Sequence, residues 1–374
     1  MADAQPVTLG TIAALAGVSR MTVSLALRPH TRISQPVREK IQALARQVGY
    51  RPDPTVARFM SYLRTAKPHC PRSVIGFLHC MRERAPWKHD QRFSKFYTSA
   101  TQRCETLGYK LDEFWVNEPG MSPRRLERIL NSRGIEGVLL TPLLQGGSYA
   151  ALSFAQLAVV AIGYSVLKPQ VNRVSANHFH ATSLALENVE ARGYRNPGLY
   201  IRKYVDETYG HQIAAAFRYH EYRFARSSKS WPSLIAGDMD KNEFLQWVDA
   251  KKPDVVLGPS LAQLEWLKEA GYRVPEDIGY VNLSRLEEDA GCAGIILNYE
   301  GVATAAVDLL VTHINHGQKG IPKVPFSLQI EGEWMSGRTI KKSRICSSVL
   351  NNKQFPARRE TGNYCSRPGK FSLT

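Results

Sequence analysis

Residues 7–52 decide the fold of the N-terminal part of the chain, and they read VTLGTIAALAGVSRMTVSLALRPHTRISQPVREKIQALARQVGYRP. Thr8 is placed to cap a first helix, because the apolar residues that follow it recur at helical spacing. Gly17 then permits a tight turn, and Ser19 is placed to cap a second helix over residues 20–28. A third amphipathic helix follows. Two short helices joined by such a turn indicate a helix-turn-helix.

The positive charge of the chain is concentrated at its two ends. The formal net charge is +16, of which residues 1–68 carry +7 and residues 341–374 carry another +7. A basic end with its own fold is typical of a nucleic-acid-binding segment. Charge alone leaves open the alternative of a solvated basic face.

From Val74 onward, short apolar runs alternate with amphipathic helices. Runs of this kind are typical of parallel strands that are buried on both faces. The predicted strands are residues 74–78, 110–116, 137–141, 158–162, 198–201, 255–257 and 278–282. The predicted helices of this part are residues 96–107, 123–132, 181–192, 261–270 and 301–315. So many strand-helix units indicate two doubly wound parallel-sheet subdomains rather than one sheet.

The composition argues against several classes of protein. No apolar run is long enough to span a bilayer, and the N-terminus lacks the pattern of a secretory signal, which favours a cytoplasmic protein without membrane contact. The six cysteines have no metal-ligand spacing. Motifs of hydrolases, phosphate-binding loops and zinc proteases are missing. We therefore expect no catalytic residues, no cofactor and no metal site.

Short words throughout residues 7–52 are shared with a known family. They are Val7-Thr8-Leu9, Ala16-Gly17-Val18-Ser19, Thr22-Val23-Ser24, Ile33-Ser34, Val37-Arg38-Glu39-Lys40 and Gly49-Tyr50-Arg51-Pro52. The stretch resembles, nearly end to end, the headpiece of the lactose-repressor (LacI/GalR) family of bacterial transcriptional regulators. The resemblance implies a sequence-specific DNA-binding protein, most simply a homodimeric repressor on a pseudo-palindromic operator.

The second helix of a helix-turn-helix enters the major groove with its N-terminal side chains at base edges. Arg20 and Met21 are the exposed residues of its first turn, so we expect them to set the sequence preference. Arg20 can bond a guanine through two hydrogen bonds, whereas Met21 offers apolar contact only. Ser19, Thr22 and Ser24 are better placed for phosphates. The resemblance adds phosphate and groove-edge contacts from Thr8, Arg28, Arg32, Ser34 and Tyr50.

Leu25 departs from the family pattern. Many members have an arginine there that contacts a base, which a leucine cannot replace, so the operator preference should differ from theirs. A position in the small headpiece core is the alternative, although Val23, Ala26 and Leu27 already supply the buried face.

The segment DPTVARFMSYLR, residues 53–64, resembles the hinge helix of the family. That helix inserts an apolar side chain between base steps in the minor groove. The alignment leaves Phe59 or Met60 as this side chain, with Val56, Ala57 and Arg58 beside it. Packing of the segment against the core is the alternative.

The rest of the chain, to about residue 340, resembles the periplasmic-binding-protein-like core of the same family. The shared words are Leu107-Gly108-Tyr109, Gly134-Ile135-Glu136-Gly137-Val138, Arg192-Gly193-Tyr194, Pro253-Asp254-Val255, Val274-Pro275-Glu276-Asp277-Ile278-Gly279 and Glu331-Gly332. The resemblance implies two lobes around a cleft, in which a small molecule biases lobe closure.

The residues that bind sugars in the family are replaced here. The Asn-Asp pair corresponds to residues 258–260 (Gly-Pro-Ser), the arginine to Gln212 or Ile213, and a later aspartate to Ser284. A sugar or a related metabolite therefore stays open as the effector. The candidate contacts by position are Phe93, Tyr97, Asn177, His180, Gln212, Trp231, Ser284 and Asn298. Packing within a helix is the alternative for Phe93 and Tyr97, and a polar loop position is the alternative for His180.

The sequence predicts four segments. They are a DNA-binding headpiece (1–52), a hinge (53–71), an effector-binding and dimerisation core (72–340) and a basic, disordered tail (341–374). An activator or dual regulator of the same family is the alternative function, because the position of the operator decides the sign of regulation. A periplasmic solute-binding protein is the alternative from another class, which the headpiece and the N-terminal sequence disfavour.

Overall fold

The computed structural model describes three parts of the chain, a helical headpiece and two α/β lobes. The described residues are 8–27, 33–50, 73–85, 88, 90–143, 148–224, 230–287, 289 and 291–342. The predicted hinge contacts and tail fall almost wholly outside these ranges.

Three helices form the headpiece: α1 (Leu9–Ala16), α2 (Arg20–Ala26) and α3 (Gln35–Gln47). Gly17 ends α1 with φ at 67°, a left-handed conformation that a residue without a Cβ adopts without strain. The Ser19 hydroxyl caps α2 by accepting a hydrogen bond from the backbone N–H of Thr22 at 3.0 Å. The axes of α1 and α2 meet at 101°, which is the geometry of a helix-turn-helix.

The headpiece has a small hydrophobic core of its own. Its buried residues are Ile12, Ala13, Val23, Ala26, Ile41 and Ala45. The side-chain amide of Gln42 also donates to the carbonyl of Ala26 at 3.1 Å and ties α3 to the end of α2. Since so few side chains hold the three helices together, each one contributes a large share of the stability.

The first lobe contains a six-stranded sheet in which every pair of neighbours is parallel. Its strands are β1 (Ser73–His79), β2 (Tyr109–Trp115), β3 (Gly137–Leu140), β4 (Ala158–Ile162), β5 (Arg173–Ala176) and β11 (Ser327–Ile330), in the order β11-β5-β4-β3-β1-β2. Its helices are α4 (Gln91–Thr106), α5 (Pro123–Ser132) and α11 (Tyr299–His316). β3 and β4 are buried along their whole length, as expected for strands covered on both faces.

The second lobe contains another six-stranded sheet, parallel except at one edge. Its strands are β6 (Pro197–Arg202), β7 (Ser233–Ala236), β8 (Val255–Gly258), β9 (Gly279–Arg285), β10 (Ala293–Ile296) and β12 (Glu333–Met335), in the order β12-β10-β9-β8-β6-β7. Only β12 runs antiparallel to its neighbour. The helices are α6 (His178–Ala191), α7 (Lys203–Thr208), α8 (Gln212–Phe224), α9 (Lys241–Lys251) and α10 (Leu261–Glu269).

The chain crosses between the lobes three times. It leaves the first sheet after β5, returns through α11 to form β11, and crosses again within two residues to form β12. Both lobes are therefore built from segments that are far apart in sequence.

The predicted fold class, a helical headpiece with two doubly wound subdomains, is confirmed. All seven predicted strands are present, with ends that differ by at most three residues. Five short strands were not predicted, namely β5, β7, β10, β11 and β12. The helix predicted from residue 96 begins at Gln91, because Asp90 caps it through a hydrogen bond from the N–H of Phe93.

Among the described residues, no single helix is long and apolar enough to cross a membrane. Only α1 and α2 taken together meet that length and composition, and they are separated by the 101° bend.

Candidate DNA-reading helix and interlobe cavity

The first turn of α2 presents the two side chains that are predicted to contact bases. Met21 is 74% exposed, although it is a large apolar residue. Arg20 is also exposed, and its guanidinium lies against the backbone of Gly10 in α1, where a Cβ would come within 3.1 Å of it. Gly10 therefore gives the Arg20 side chain room beside the reading surface.

Of the other side chains predicted to contact DNA, two already form hydrogen bonds within the headpiece and one does not. The hydroxyls of Thr8 and Ser19 cap helices and bond to the hydroxyls of Thr11 and Thr22, at 3.2 and 2.8 Å. Ser34 is exposed at the start of α3 and makes no capping hydrogen bond there.

The remaining predicted headpiece residues are less exposed. Thr22 and Ser24 are half-buried, and Tyr50 packs against the headpiece core. Leu25 is also half-buried but does not belong to that core. Arg28 and Arg32, and the hinge residues Val56, Ala57, Arg58, Phe59 and Met60, lie outside the described residues.

Two adjoining cavities lie between the lobes, with volumes of about 240 and 260 Å³. They share four lining residues, Arg92, Arg202, Val205 and Tyr209. The walls come from the carboxyl ends of strands in both sheets: Ala176 ends β5, Arg202 ends β6, and Ser284 lies near the end of β9. In open parallel sheets, this edge is where small molecules bind.

Arg92 joins the two lobes across this cavity. Its Nη2 donates to the carbonyl of Ser284 at 3.3 Å, and its Nε is buried without a hydrogen-bond partner among the described residues. Burial acts to lower the pKa of Arg92, but the nearby Tyr299, Tyr209 and Asp90 together outweigh that effect, so its pKa lies above the ordinary value. The side chain is therefore cationic at every physiological pH.

Other polar groups order the cavity walls. The hydroxyls of Ser284 and Tyr299 are 2.7 Å apart, and the hydroxyl of Tyr204 donates to the carbonyl of Leu143 at 2.8 Å, from the second lobe to the first. The second of these contacts, with the bond from Arg92 to Ser284, links the two lobes directly.

His178 lies at the start of α6, where the chain passes between the lobes. Its ring stacks on Tyr209 with centroids 3.9 Å apart. Burial lowers the pKa of His178 to about 3, so the ring is neutral near pH 7. The stacked pair forms an uncharged part of the cavity wall.

Phe93 and Ser284 are the two predicted effector residues that line the described cavities. Tyr97 lies on α4 with its ring 5.4 Å from that of Phe77, and Trp231 packs on Phe217 at 5.5 Å.

The other predicted effector residues serve at helix termini near the cavity. Asn177 and Asn298 cap α6 and α11 through their side-chain oxygens. His180 lies 3.9 Å from Glu331, and the Gln212 amide oxygen accepts from the N–H of Phe179 at 3.3 Å. The structure thus places these four residues, like Tyr97 and Trp231, away from the cavity lining.

Several lining residues were missed from the sequence, above all Arg92 and Arg202. Arg92 sits one residue before the predicted Phe93, and Asp90 was the available sign that a helix begins there. Arg202 directly follows a predicted strand. Ligands bind at the carboxyl ends of strands in open parallel sheets, so this position could have been chosen from the sequence. The stretch Gly258-Pro259-Ser260, where family members have an Asn-Asp pair, does contribute Pro259 and Ser260 to the lining.

Within the described ranges, no group of three or more histidine, cysteine or carboxylate side chains could hold a metal ion. The described cysteines Cys80, Cys104 and Cys292 are unpaired and buried.

Comparison with known protein families finds a match for the headpiece. The family model described as bacterial regulatory proteins, lacI family, matches residues 8–53. No curated protein sequence matches the chain.

The fold also matches solved structures. A lac repressor dimer bound to operator and the anti-inducer ONPF has 17% identity and a TM-score of 0.55, over 90% of this chain and 100% of that one. A CelR–cellobiose complex has 20% identity and a TM-score of 0.53, over 89% and 99%. CcpA from Weissella paramesenteroides with bound glucose has 13% identity and a TM-score of 0.52, over 72% and 98%.

At these identities the structures show a shared fold, whereas the sequence match is confined to the headpiece. The headpiece is nevertheless the part that defines a DNA-binding regulator rather than an enzyme, and the two-lobed core below it has the fold of such regulators. The headpiece, residues 8–53, therefore matches the lacI family of bacterial regulatory proteins.

Proposed function

We propose that the protein is a cytoplasmic, homodimeric repressor that binds a pseudo-palindromic operator and is controlled by a small molecule between its lobes. The observation that supports this most is the exposed first turn of α2, which presents Arg20 and Met21 on a folded helix-turn-helix. A large apolar side chain that is 74% exposed fits contact with a thymine methyl group better than packing within the headpiece.

In this proposal, Arg20, Met21 and Leu25 contact bases, and Ser19, Thr22, Ser24 and Ser34 contact phosphates together with Thr8, Tyr50, Arg28 and Arg32. Phe59 or Met60 of the hinge inserts into the minor groove, with Val56, Ala57 and Arg58 beside it. The dimer places two headpieces on half-sites about one helical turn apart, roughly 10 base pairs. The segment boundaries 1–52, 53–71, 72–340 and 341–374 belong to the same proposal.

The effector would bind in the interlobe cavities and contact Phe93 and Ser284, and the proposal is supported by the position of both residues in the cavity lining. Solved relatives of the fold carry cellobiose and glucose. A ligand that binds the closed spacing of the lobes more tightly than the open one shifts the population and so changes the distance between headpieces.

Selection of bound sequences from a random DNA pool tests the operator half of the proposal. We expect a symmetric motif, and an affinity whose logarithm falls with the logarithm of salt concentration by about 0.9 per phosphate neutralised. Arg20→Ala should relax the preference at one position of each half-site, with a loss of about 1–3 kcal/mol there.

Arg46→Ala is the matched control, because it removes the same charge from an exposed position near the end of α3. It should leave the sequence preference unchanged. Enrichment of no motif by the wild-type protein would refute the proposal, as would an equal change of preference in both variants. A screen for small molecules that release the selected DNA then tests the regulatory half.

A further inference from the structure

The two arginines of the interlobe cavity point to the charge of the effector. Arg92 enters from α4 of the first lobe, and Arg202 enters from the end of β6 in the second lobe. Each of the two arginines lines both cavities. A ligand that fills the space between the arginines therefore contacts one of them from each lobe.

Neither arginine forms an ion pair with a carboxylate of the described residues, although Asp90 lies near enough to Arg92 to help raise its pKa. The Arg202 side chain makes no hydrogen bond to the described residues, whereas its backbone pairs with β7. Asp90 is the acidic residue of the lining, and its Oδ1 already accepts a hydrogen bond from the N–H of Phe93 at 2.9 Å. A partly buried guanidinium with unused donors gains from an added anion. The buried Nε of Arg92 is such a donor, since it has no hydrogen-bond partner among the described residues.

Away from the two arginines, the cavity wall is largely apolar and uncharged. Phe93, Phe96 and Ile162 form an apolar wall in the first lobe, and the His178–Tyr209 stack is uncharged near pH 7. A ligand that matches the whole cavity therefore has an anionic end for the two arginines and an uncharged body for this wall.

Resting on the proposed function above, we propose that the effector is a small organic anion whose carboxylate or phosphate group binds between Arg92 and Arg202. Guanidinium groups recognise both of these anions through paired hydrogen bonds. Because the two arginines come from different lobes, the anion binds best when the lobes are close together. It thereby stabilises the closed core.

The volume agrees with a metabolite of modest size. The two adjoining cavities, of about 240 and 260 Å³, together leave room for a ligand of a few hundred Å³, within the usual range for small-molecule sites.

The test compares matched neutral and anionic probes on the full-length protein without DNA. Glucose is measured against glucuronate and glucose 6-phosphate, and sodium chloride against inorganic phosphate at equal ionic strength, by calorimetry and thermal unfolding. We expect at least one anionic probe to bind or stabilise more strongly than its neutral counterpart. Stronger binding of glucuronate would identify a carboxylate as the preferred anion, and stronger binding of glucose 6-phosphate or inorganic phosphate would identify a phosphate.

Arg202→Gln should weaken the binding of that anion by about 10- to 150-fold, the loss expected for hydrogen bonds to a charged group. Arg195→Gln is the matched control: it removes the same charge from an exposed position just before β6, at the opposite end of the strand from Arg202. It should leave anion binding unchanged.

An absence of preference for every anionic probe would overturn the inference, and so would a preference that survives in Arg202→Gln. Since no DNA is present, either result leaves the operator selection standing. Conversely, a failed operator selection with a normal anion response would refute the proposed function alone.

Discussion

Truncation of Ile41 should unfold the headpiece while leaving the core intact. Ile41 lies on the buried face of α3, is 1% exposed, and is one of six buried residues that hold the three helices together. Replacing a buried isoleucine by alanine costs about 2–5 kcal/mol, through lost burial and the cavity left behind. A domain of this size rarely has more than about 3–5 kcal/mol of stability from its core. Ile41→Ala therefore removes most or all of it.

The assay is hydrogen exchange followed by mass spectrometry. At about 1.4 kcal/mol per factor of ten, the opening equilibrium of α3 should rise by roughly 30-fold to several thousand-fold in Ile41→Ala. Peptides from the sheets of both lobes should exchange as in the wild type, because the headpiece has a separate core.

Two further variants calibrate this result. Ile41→Val removes one methylene and should cost about 0.5–1.5 kcal/mol, which leaves the headpiece folded. Val37→Ala lies on the same helix at a position that is 38% exposed, and it should change stability by about 0.5 kcal/mol or less. Equal exchange in Ile41→Ala and Val37→Ala would refute the reasoning that this small core carries the fold of the headpiece.

Three other predictions concern single sites. Ser19→Ala should destabilise the headpiece by about 1 kcal/mol in denaturant titrations, because it removes the side-chain cap of α2. Ser19→Asn should keep the cap and most of the stability. An equal loss of stability in both variants would show that the Ser19 side chain is not acting as a cap. Gly258→Ala should lower stability by about 1–3 kcal/mol, since its Cβ would overlap the amide oxygen of the buried Gln263; unchanged thermal unfolding would contradict this.

The third prediction concerns the loss of folding stability at low pH. The pKa of His178 is about 3 in the folded protein and 6.5 in the reference state, so the unfolded chain binds the extra proton below pH 6.5 and stability falls as pH falls from 6.5 toward 3. Between pH 7 and 5 the wild type should lose about 2 kcal/mol more than His178→Phe, which keeps the stacked ring without the titration. Equal losses in denaturant titrations at the two pH values would count against a neutral, buried His178.

The sequence was sufficient where periodicity and local chemistry agree. Thr8 and Gly17 marked the two ends of α1 correctly, and Ser19 marked the start of α2, because capping and turn formation depend on neighbouring residues. The central strands β3, β4 and β8 were predicted because each is a continuous buried run.

Tertiary context explains what the sequence did not predict. The burial of β11 is low along almost its whole length, and β7 is only partly buried, so neither edge strand shows the apolar run by which a strand is recognised. The cavity depends on which strand ends meet across the two lobes, and that follows from the three crossovers rather than from local sequence. Arg92 and Arg202 are 110 positions apart, and no periodicity relates them.

The passage of the chain between the lobes also has a consequence for biosynthesis. Strand β11, at the edge of the first sheet, and α11, which covers that sheet, come from residues 299–330. The headpiece can fold as soon as α3 has left the ribosome, but the first lobe stays incomplete until almost the whole core has been made. At about 5–20 residues per second, this interval lasts roughly ten seconds to a minute. A nascent or truncated product of intermediate length would therefore present a folded DNA-binding unit that no metabolite could control.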